Sequence, residues 1–262
     1  VRRLKKKTPL IIAVLLAMIL IIAVTRVVSY IHTGTVVKKV FDGDSVLLFD
    51  GREIRYIGID APETGGKRPA EEGGREAARE NETLVGGKEV RLEFDRELTD
   101  RYKRTLAYVY VGDTFVNLTL VKDGVALALP YAPNLKHQRE LKKAMDEARR
   151  ARRGLWADPD RWMVRADDAR RYVGESKTVV GRVLSSEEAS PGVFLNFGED
   201  FTTDFTAFIP RDDLSFFADE GIADPASAFR NRTIEVTGTI HEKNGPSITV
   251  RHPDQIYVRN EP

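Results

Sequence analysis

The chain has 262 residues, 42% of them apolar, and a formal net charge of +1 from 41 Lys/Arg against 40 Asp/Glu. This length admits two small domains, and the apolar share is that of a globular protein, which excludes a disordered polyelectrolyte. There is no cysteine, which excludes disulfides, a lipidated cysteine and zinc–thiolate sites. The small net charge conceals an uneven distribution. Residues 1–30 carry six Lys/Arg and no Asp/Glu, residues 31–174 carry 27 against 25, and residues 175–262 carry 8 against 15. The start is basic and the end acidic.

Residues 1–30 open with Arg2-Arg3-Leu4-Lys5-Lys6-Lys7 and continue with sixteen uncharged residues, Pro9–Val24. With Thr8 and Thr25 the run reaches about a bilayer's thickness of helix. The basic flank predicts that this end stays in the cytoplasm and that everything after Tyr30 lies outside. The layout is also that of a signal peptide, with Ala23-Val24-Thr25 the best small-x-small site. A retained membrane anchor through residues 9–28 is the favoured reading; secretion is the outcome if the segment is cleaved.

Thr35–Val40, Ser45–Phe49 and Glu53–Ile59 then read as three short strands joined at Asp42-Gly43 and Asp50-Gly51, dipeptides with a strong hairpin preference. Consecutive short strands with tight turns predict a small antiparallel barrel. Acidic residues fall at the strand ends, Asp44 before the second strand and Asp60 after the third. On neighbouring strands these carboxylates converge. Converging carboxylates repel unless a cation lies between them, and a hard divalent ion such as Ca2+ suits oxygen ligands. Arg55 is always charged, and its fork matches a phosphate at two points. Glu63, after the stiff Pro62, is a candidate base for a water held near a phosphate. Each acid alone reads better as turn chemistry; together with a downstream element, the catalytic reading prevails.

Thr64–Gly74, rich in Gly, Lys, Arg and Glu, is a surface loop, read either as a plain linker or as a contact to a polyanion. Arg75–Val85 predicts a helix with Ala77, Ala78, Leu84 and Val85 inward, stopped by Gly86-Gly87. Val90–Phe94 and Leu106–Val111 are further strands, and the charged loop between them ends in Asp100-Arg101-Tyr102-Lys103-Arg104. Arg104 at the strand mouth is a second phosphate clamp. Two arginines around one phosphate would offset the charge that builds on its equatorial oxygens. Phe115–Lys122 predicts a short helix, and His137–Arg153 an amphipathic one with Leu141, Ala144, Met145 and Ala148 inward and a basic outer face. Asn81, Asn117 and Asn231 head glycosylation sequons, and Asn117 falls in a segment predicted to be buried.

Three motifs occur in order: Phe41-Asp42-Gly43-Asp44-Ser45, then Arg55-Tyr56-Ile57-Gly58-Ile59-Asp60-Ala61-Pro62-Glu63, then Asp100-Arg101-Tyr102-Lys103-Arg104-Thr105-Leu106-Ala107-Tyr108. Together with Leu155-Trp156 after the basic helix, they make about Gly34 to Trp156 resemble the staphylococcal nuclease-like, or thermonuclease, domain. The resemblance implies a five-stranded OB-type barrel with three helices, and Ca2+-dependent hydrolysis of DNA and RNA that leaves 3′-phosphate ends. It implies Asp44, Asp60 and the Ala61 carbonyl as metal ligands, with Asp42 supporting them. Arg55 and Arg104 would bind the scissile phosphate, and Glu63 would serve as general base or orient the water. Arg101 and Tyr102 would meet a terminal phosphate of the bound nucleotide, and Tyr131 would be an aromatic of its pocket. Two positions depart from the pattern: Ala61 stands where threonine is common, and Leu129 where a second pocket tyrosine would be.

Ala157–Gly174 reads as a charged connector, and Trp162, Met163 and Tyr172 predict that it packs on a neighbour. Ser176–Val258 reads as a second all-β unit, with strands Thr178–Leu184, Val193–Phe197, Phe205–Ile209, Thr233–Ile240, Ser247–Val250 and Gln255–Val258 and a helical or irregular insert, Asp212–Phe229. Its strand order and turn glycines resemble OB-fold nucleic-acid-binding modules. Phe194, Phe197, Phe205 and Phe208 are candidate stacking platforms. The acidic balance opposes backbone binding, so a packing or protein-partner role is favoured, although Arg182, Arg211, Arg230, Arg232 and Arg251 would counter it if they cluster. The whole is mainly β with helices (α+β): residues 1–30 an anchor or signal, 31–157 a nuclease-like domain, 158–175 a connector, 176–262 an OB-like domain. The alternative function is a non-catalytic nucleic-acid-binding or surface interaction protein built on two OB-type barrels.

Overall fold

The computed structural model describes residues 15–22, 35–65 and 70–259. The N-terminal anchor reading lies outside the described residues except for 15–22, which are helical; among the described residues no helix is long and apolar enough to cross a membrane.

The two Asp-Gly turns produce the meander β1 (Val37–Val40), β2 (Ser45–Leu48) and β3 (Glu53–Tyr56). The third strand ends earlier than its composition predicts. Gly58 takes φ +78°, a region that side chains with a Cβ disfavour. There the chain kinks and leaves the sheet, and β4 (Ile59–Asp60) pairs instead with β8 (Leu127–Ala128). A Cβ at Gly58 would also lie 2.7 Å from Leu141, so the kink is packed against the helix that Leu141 belongs to.

Helix α1 (Gly74–Val85), strands β5 (Arg91–Glu93), β6 (Thr105–Val111) and β7 (Thr114–Phe115), and helices α2 (Val116–Lys122) and α3 (Gln138–Arg150) complete this half. The sheet order is β1-β2-β3-β6-β5, with β7 against β6. The expected antiparallel barrel is corrected at one place: β3 and β6 run parallel, because α1 and β5 intervene and carry the chain back across. Ala77, Val85, Leu120, Leu141, Ala144 and Ala148 turn inward onto Val46, Leu48, Ile54 and Val109. Burying each large aliphatic side chain is worth roughly 1.5–3 kcal/mol.

Two polar residues sit in that apolar interior. Asn117, fully buried, accepts from Val109 N–H at 2.9 Å and donates to the Ile57 carbonyl at 2.9 Å. Asn81, also fully buried, donates to the Asp42 carbonyl at 2.9 Å and accepts from the Tyr56 hydroxyl at 3.0 Å. These two of the three sequon asparagines are thus inner struts.

The connector packs Trp162 into the first core and continues into β9 (Met163–Arg165). There follow β10 (Ser176–Arg182), β11 (Ser185–Ala189), β12 (Gly192–Asn196), β13 (Thr206–Pro210), β14 (Thr233–Thr239), β15 (His241–Glu242), β16 (Pro246–Thr249) and β17 (Ile256–Val258). They form two sheets, β17-β14-β10-β9 and β11-β12-β13-β16-β15, over a second core. The strand β11, Ser-Ser-Glu-Glu-Ala, carries no apolar signal in its sequence; the ladder to β12 makes it a strand. The insert forms the short helices Leu214–Asp219 and Pro225–Phe229. Phe197 and Phe205 are core residues, whereas Phe194 and Phe208 lie together on the outer face with ring centroids 4.8 Å apart. Three of the five arginines are engaged within the unit: Arg211 bonds the Ala189 and Ser190 carbonyls, Arg230 bonds Ser186, and Arg251 pairs with Asp213 at 3.0 Å.

The two halves meet at Glu235 of β14, which is 1% exposed. Its carboxylate lies 2.6 Å from Arg149 of α3 and 2.6 Å from Arg259. Arg149 also covers the Tyr257 ring at 4.5 Å. Removing the acid alone leaves two arginines facing each other, a cost moderated because both keep part of their contact with water. Glu235→Ala is expected to destabilise the chain by about 2 kcal/mol, less than for a fully buried pair, and Glu235→Gln by less again. Urea denaturation followed by tryptophan fluorescence reads this, and equal stability of all three proteins would refute it.

Candidate active site

Pairing of β2 with β3 sets Ser45 opposite Arg55, and Tyr56 N–H donates to the Asp44 carbonyl at 2.9 Å. Gly43 lets this turn approach its neighbours: a Cβ there would lie 2.6 Å from the Ala61 Cβ and 2.7 Å from the Ala77 Cβ. Asp44 is 4% exposed. Its Oδ2 accepts from Ala61 N–H at 2.6 Å and lies 3.1 Å from Arg55 Nη1. Asp60 Oδ1 accepts from Arg55 Nη2 at 2.7 Å. Arg55 Nη1 also donates to the Tyr56 and Ile59 carbonyls, at 3.0 and 2.8 Å, and so ties off the kink at Gly58. Asp42 faces backward, accepting from Asp44 N–H at 3.0 Å and Ser45 Oγ at 2.6 Å. It therefore supports the pair without joining it.

Burial pushes the Asp44 carboxyl well above the usual carboxylate range; Arg55 opposes that rise, and Asp42 and Asp60 add to it. Burial works against the Arg55 charge too, but Asp44, Asp60, Asp42 and Glu63 together raise its pKa. Two acids thus converge on one cationic position, and every donor there is an oxygen. Such oxygen donors are of the kind Ca2+ takes; Asp44 and Asp60 would hold it by carboxylate and Ala61 by its carbonyl. Among the described residues no three His, Asp or Glu side chains gather into a metal-binding group, so the remaining ligands would be water and substrate.

The phosphate side is built on the parallel pair. Arg55 lies opposite Leu106 of β6, and Arg104 stands immediately before that strand. Arg55, Arg104, Arg101, Tyr102, Leu129 and Tyr131 line one cavity of about 330 Å3. Arg104 is fixed by Asp100, which accepts from its Nε at 2.7 Å and its backbone N–H at 3.0 Å. Arg101 donates to the Tyr102 hydroxyl at 2.7 Å. Tyr102 and Tyr131 are 58% and 60% exposed, and Arg101 and Arg104 lie over the Tyr102 ring at 4.8 and 5.6 Å. Arg251, from the second half, covers the Tyr131 ring at 5.5 Å. Glu63 is placed differently. It is absent from the lining of the arginine cavity and instead lines a cleft with Thr64, Glu71 and Arg75, while staying close enough for its charge to act on Arg55.

Sequence reasoning missed Asp100 as the Arg104 tether, Asn81 as the strut under Asp42, and Asn134. The Asn134 amide accepts from Glu97 N–H and donates to the Glu97 carbonyl, both at 2.8 Å, pinning the arginine loop to the Tyr131 turn. Asn81 was detectable: it stands between Ala77 and Val85 on the inner stripe of α1, where a polar residue needs partners. Asp100 lies four residues before Arg104, a spacing that in a loop carries no contact rule.

Comparison with known proteins matches residues 53–158 to the family described as staphylococcal nuclease homologue. A thermonuclease of Staphylococcus intermedius is 40% identical over 124 residues, 46% of this chain and 74% of that protein. A thermonuclease of Staphylococcus hyicus is 37% identical, over 47% of this chain and 75% of that protein. Endonuclease YncB of Bacillus subtilis (strain 168) is 35% identical, over 45% of this chain and 59% of that protein. Identity of this order across three quarters of a thermonuclease's length reflects common descent, and the chain belongs to the staphylococcal nuclease homologue family.

Proposed function

We propose that this nuclease cleaves phosphodiester bonds of both DNA and RNA with Ca2+, held outside the cytoplasm by an N-terminal membrane anchor. One observation carries the catalytic reading: Arg55 and Arg104 line one cavity, and Arg55 is at the same time paired with both Asp44 and Asp60. The basic-then-apolar order of residues 2–24 supports the location. The two exposed tyrosines accept any base face, which supports a substrate range spanning both nucleic acids.

Ca2+ bound at Asp44, Asp60 and Ala61 would supply positive charge to the phosphate that the arginine cavity holds. Arg55 and Arg104 bind that phosphate and offset the negative charge that grows on its equatorial oxygens as phosphorus becomes five-coordinate. Glu63 takes the proton of the attacking water, whose oxygen bonds to phosphorus as the bond to the 5′ oxygen breaks. The products are a 3′-phosphate and a 5′-hydroxyl. Asp100 keeps Arg104 from swinging out of the cavity, and Tyr131 orients the base.

Hydrolysis of single- and double-stranded DNA and of RNA by the full chain, in Ca2+ or chelator, tests the reading directly. Glu63→Ala and Arg104→Ala are each expected to lower kcat by a factor on the order of 10² to 10⁴ while the fold, read by circular dichroism, stays intact. Absence of cleavage by the folded wild-type chain in Ca2+ would overturn it.

Metal binding has its own readout. Ca2+ at about 100 times its Kd should stabilise the wild-type chain by about 2.7 kcal/mol in denaturant or thermal unfolding. Asp60→Ala, which deletes one of the two converging carboxylates, should abolish that shift. A Ca2+-dependent shift of the same size in the variant would place the ion elsewhere.

A further inference from the structure

The loop that carries Glu63 is tied to the second half of the molecule through one side chain. Glu71 Oε2 accepts from the Glu63 backbone N–H at 3.2 Å, and Glu71 Oε1 accepts from the Ser176 backbone N–H at 3.2 Å. The Glu71 N–H in turn donates to the Glu63 carbonyl at 2.9 Å. The peptide groups on both sides of Glu63 are therefore held by one residue, and that residue is held by another 105 positions along the chain.

Neither end of this bridge is free to drift. Ser176 starts β10, is 6% exposed, sits opposite Thr239 of β14 and shares a 2.9 Å hydroxyl–hydroxyl bond with it. The next residue, Lys177, is 4% exposed, lies 3.1 Å from Glu175 and packs 5.2 Å from the ring centroids of both Trp162 and Tyr172. At the other end, helix α1 begins hard against the Glu63 carbonyl: a Cβ on Gly74 would lie 2.2 Å from that oxygen. Bonds from backbone N–H groups to a carboxylate are among the stronger hydrogen bonds in proteins. Burial pushes the Glu71 carboxyl up to about 7, and the N–H groups of Glu63 and Ser176 work against that rise, so the same two bonds favour its ionised form.

We propose that Glu71 is a positioning residue for the cleavage reaction: by bridging the Glu63 and Ser176 backbone amides it fixes the general-base loop to β10, which makes the second β unit a working part of the nuclease site. This rests on the nuclease reading with Glu63 as base. A base displaced by about 1 Å can cost a hundredfold in rate without altering substrate affinity. Arg55 and Arg104, assigned above to the phosphate, are held by other acids, Asp44 and Asp60 for the first and Asp100 for the second.

The test uses the full chain with Glu71→Ala, Glu71→Asp and Glu71→Gln, assayed for kcat and KM on a single-stranded DNA oligonucleotide in saturating Ca2+. Asp keeps the charge but is one methylene too short to span both amides. Gln keeps the length and one acceptor oxygen. The expected result is a fall in kcat on the order of 10- to 100-fold for Ala and Asp, a smaller fall for Gln, and KM within about twofold throughout. Unchanged kcat in Glu71→Ala, or Asp retaining more activity than Gln, would overturn the proposal, the latter because it assigns the effect to charge alone. If Glu71→Ala does not fold, the Asp–Gln order decides. Amide hydrogen exchange at Glu63 and Ser176 in the same proteins reads the bridge without turnover. Faster exchange at both in Glu71→Ala is expected, and wild-type rates there would refute the bridge even if the wild-type chain itself failed to cleave.

Discussion

The Arg55 guanidinium, lodged between Asp44 and Asp60, is the interaction on which the site depends. Two carboxylates at this spacing and burial repel each other, and burial alone drives Asp44 toward its neutral form. A permanent cation changes that balance, because arginine stays charged even when desolvated. Arg55 does this while bonding the carbonyls of Tyr56 and Ile59, the residues on either side of the kink at Gly58. Its charge and the backbone break are thus one device. The kink carries Asp60 out of the sheet plane to face Asp44, and the arginine stabilises both the kink and the acids it brings together.

The second β unit shows how little of this comes from topology. Its sheet runs β11-β12-β13-β16-β15 and has a parallel pair in the middle, β13 with β16, just as the first runs β1-β2-β3-β6-β5 with β3 parallel to β6. In the first sheet the residues at that parallel pair include Arg55 and lead out to Arg104. In the second they are Thr206, Ala207 and Phe208 against Ser247, Ile248 and Thr249. The same strand order supplies a place for phosphate clamps in one unit and a place for Phe208, stacked with Phe194, in the other. Fold sets the opportunity, and side chains decide the chemistry.

Much of the site was legible in the sequence because its elements are local. Asp44, Arg55, Asp60 and Glu63 lie within twenty residues on short strands joined by turns with strong preferences, so spacing along the chain translates into proximity in space. Arg104 was legible as the mouth of a strand. What could not be read was the non-local bonding. The break of Glu53–Ile59 at Gly58 is set by packing against Leu141 and by a strand partner seventy residues later, and neither leaves a mark in the segment itself. The strand β11 is polar because it lies at a sheet edge, so alternation gives no signal. Glu71 stood in a surface loop read either as a plain linker or as a contact to a polyanion, since nothing near it in sequence announces a partner 105 residues away.

The acidic excess of residues 175–262 raises a physical difficulty: a negative body sits beside a site for a polyanion. Part of that excess faces inward or is already spoken for. Glu235 lies between Arg149 and Arg259, Asp213 pairs with Arg251, and Asp254 accepts from Gln138 of α3. On α3 itself, Arg149 meets Glu235 and Arg139 meets Glu220 at 3.4 Å, so part of the helix's basic face is turned to the second unit. At close range such contacts bind the two halves, and beyond a Debye length of about 8 Å the exposed remainder is largely screened at physiological salt. Near the cavity the balance is reversed. Arg251 is the second unit's residue over Tyr131, and Arg55, Arg101 and Arg104 line the cavity beside that ring, together with Glu97 and Asp100. The acidic unit is therefore compatible with nuclease action, because part of its charge is turned onto the helix and it meets the Tyr131 side of the cavity with an arginine.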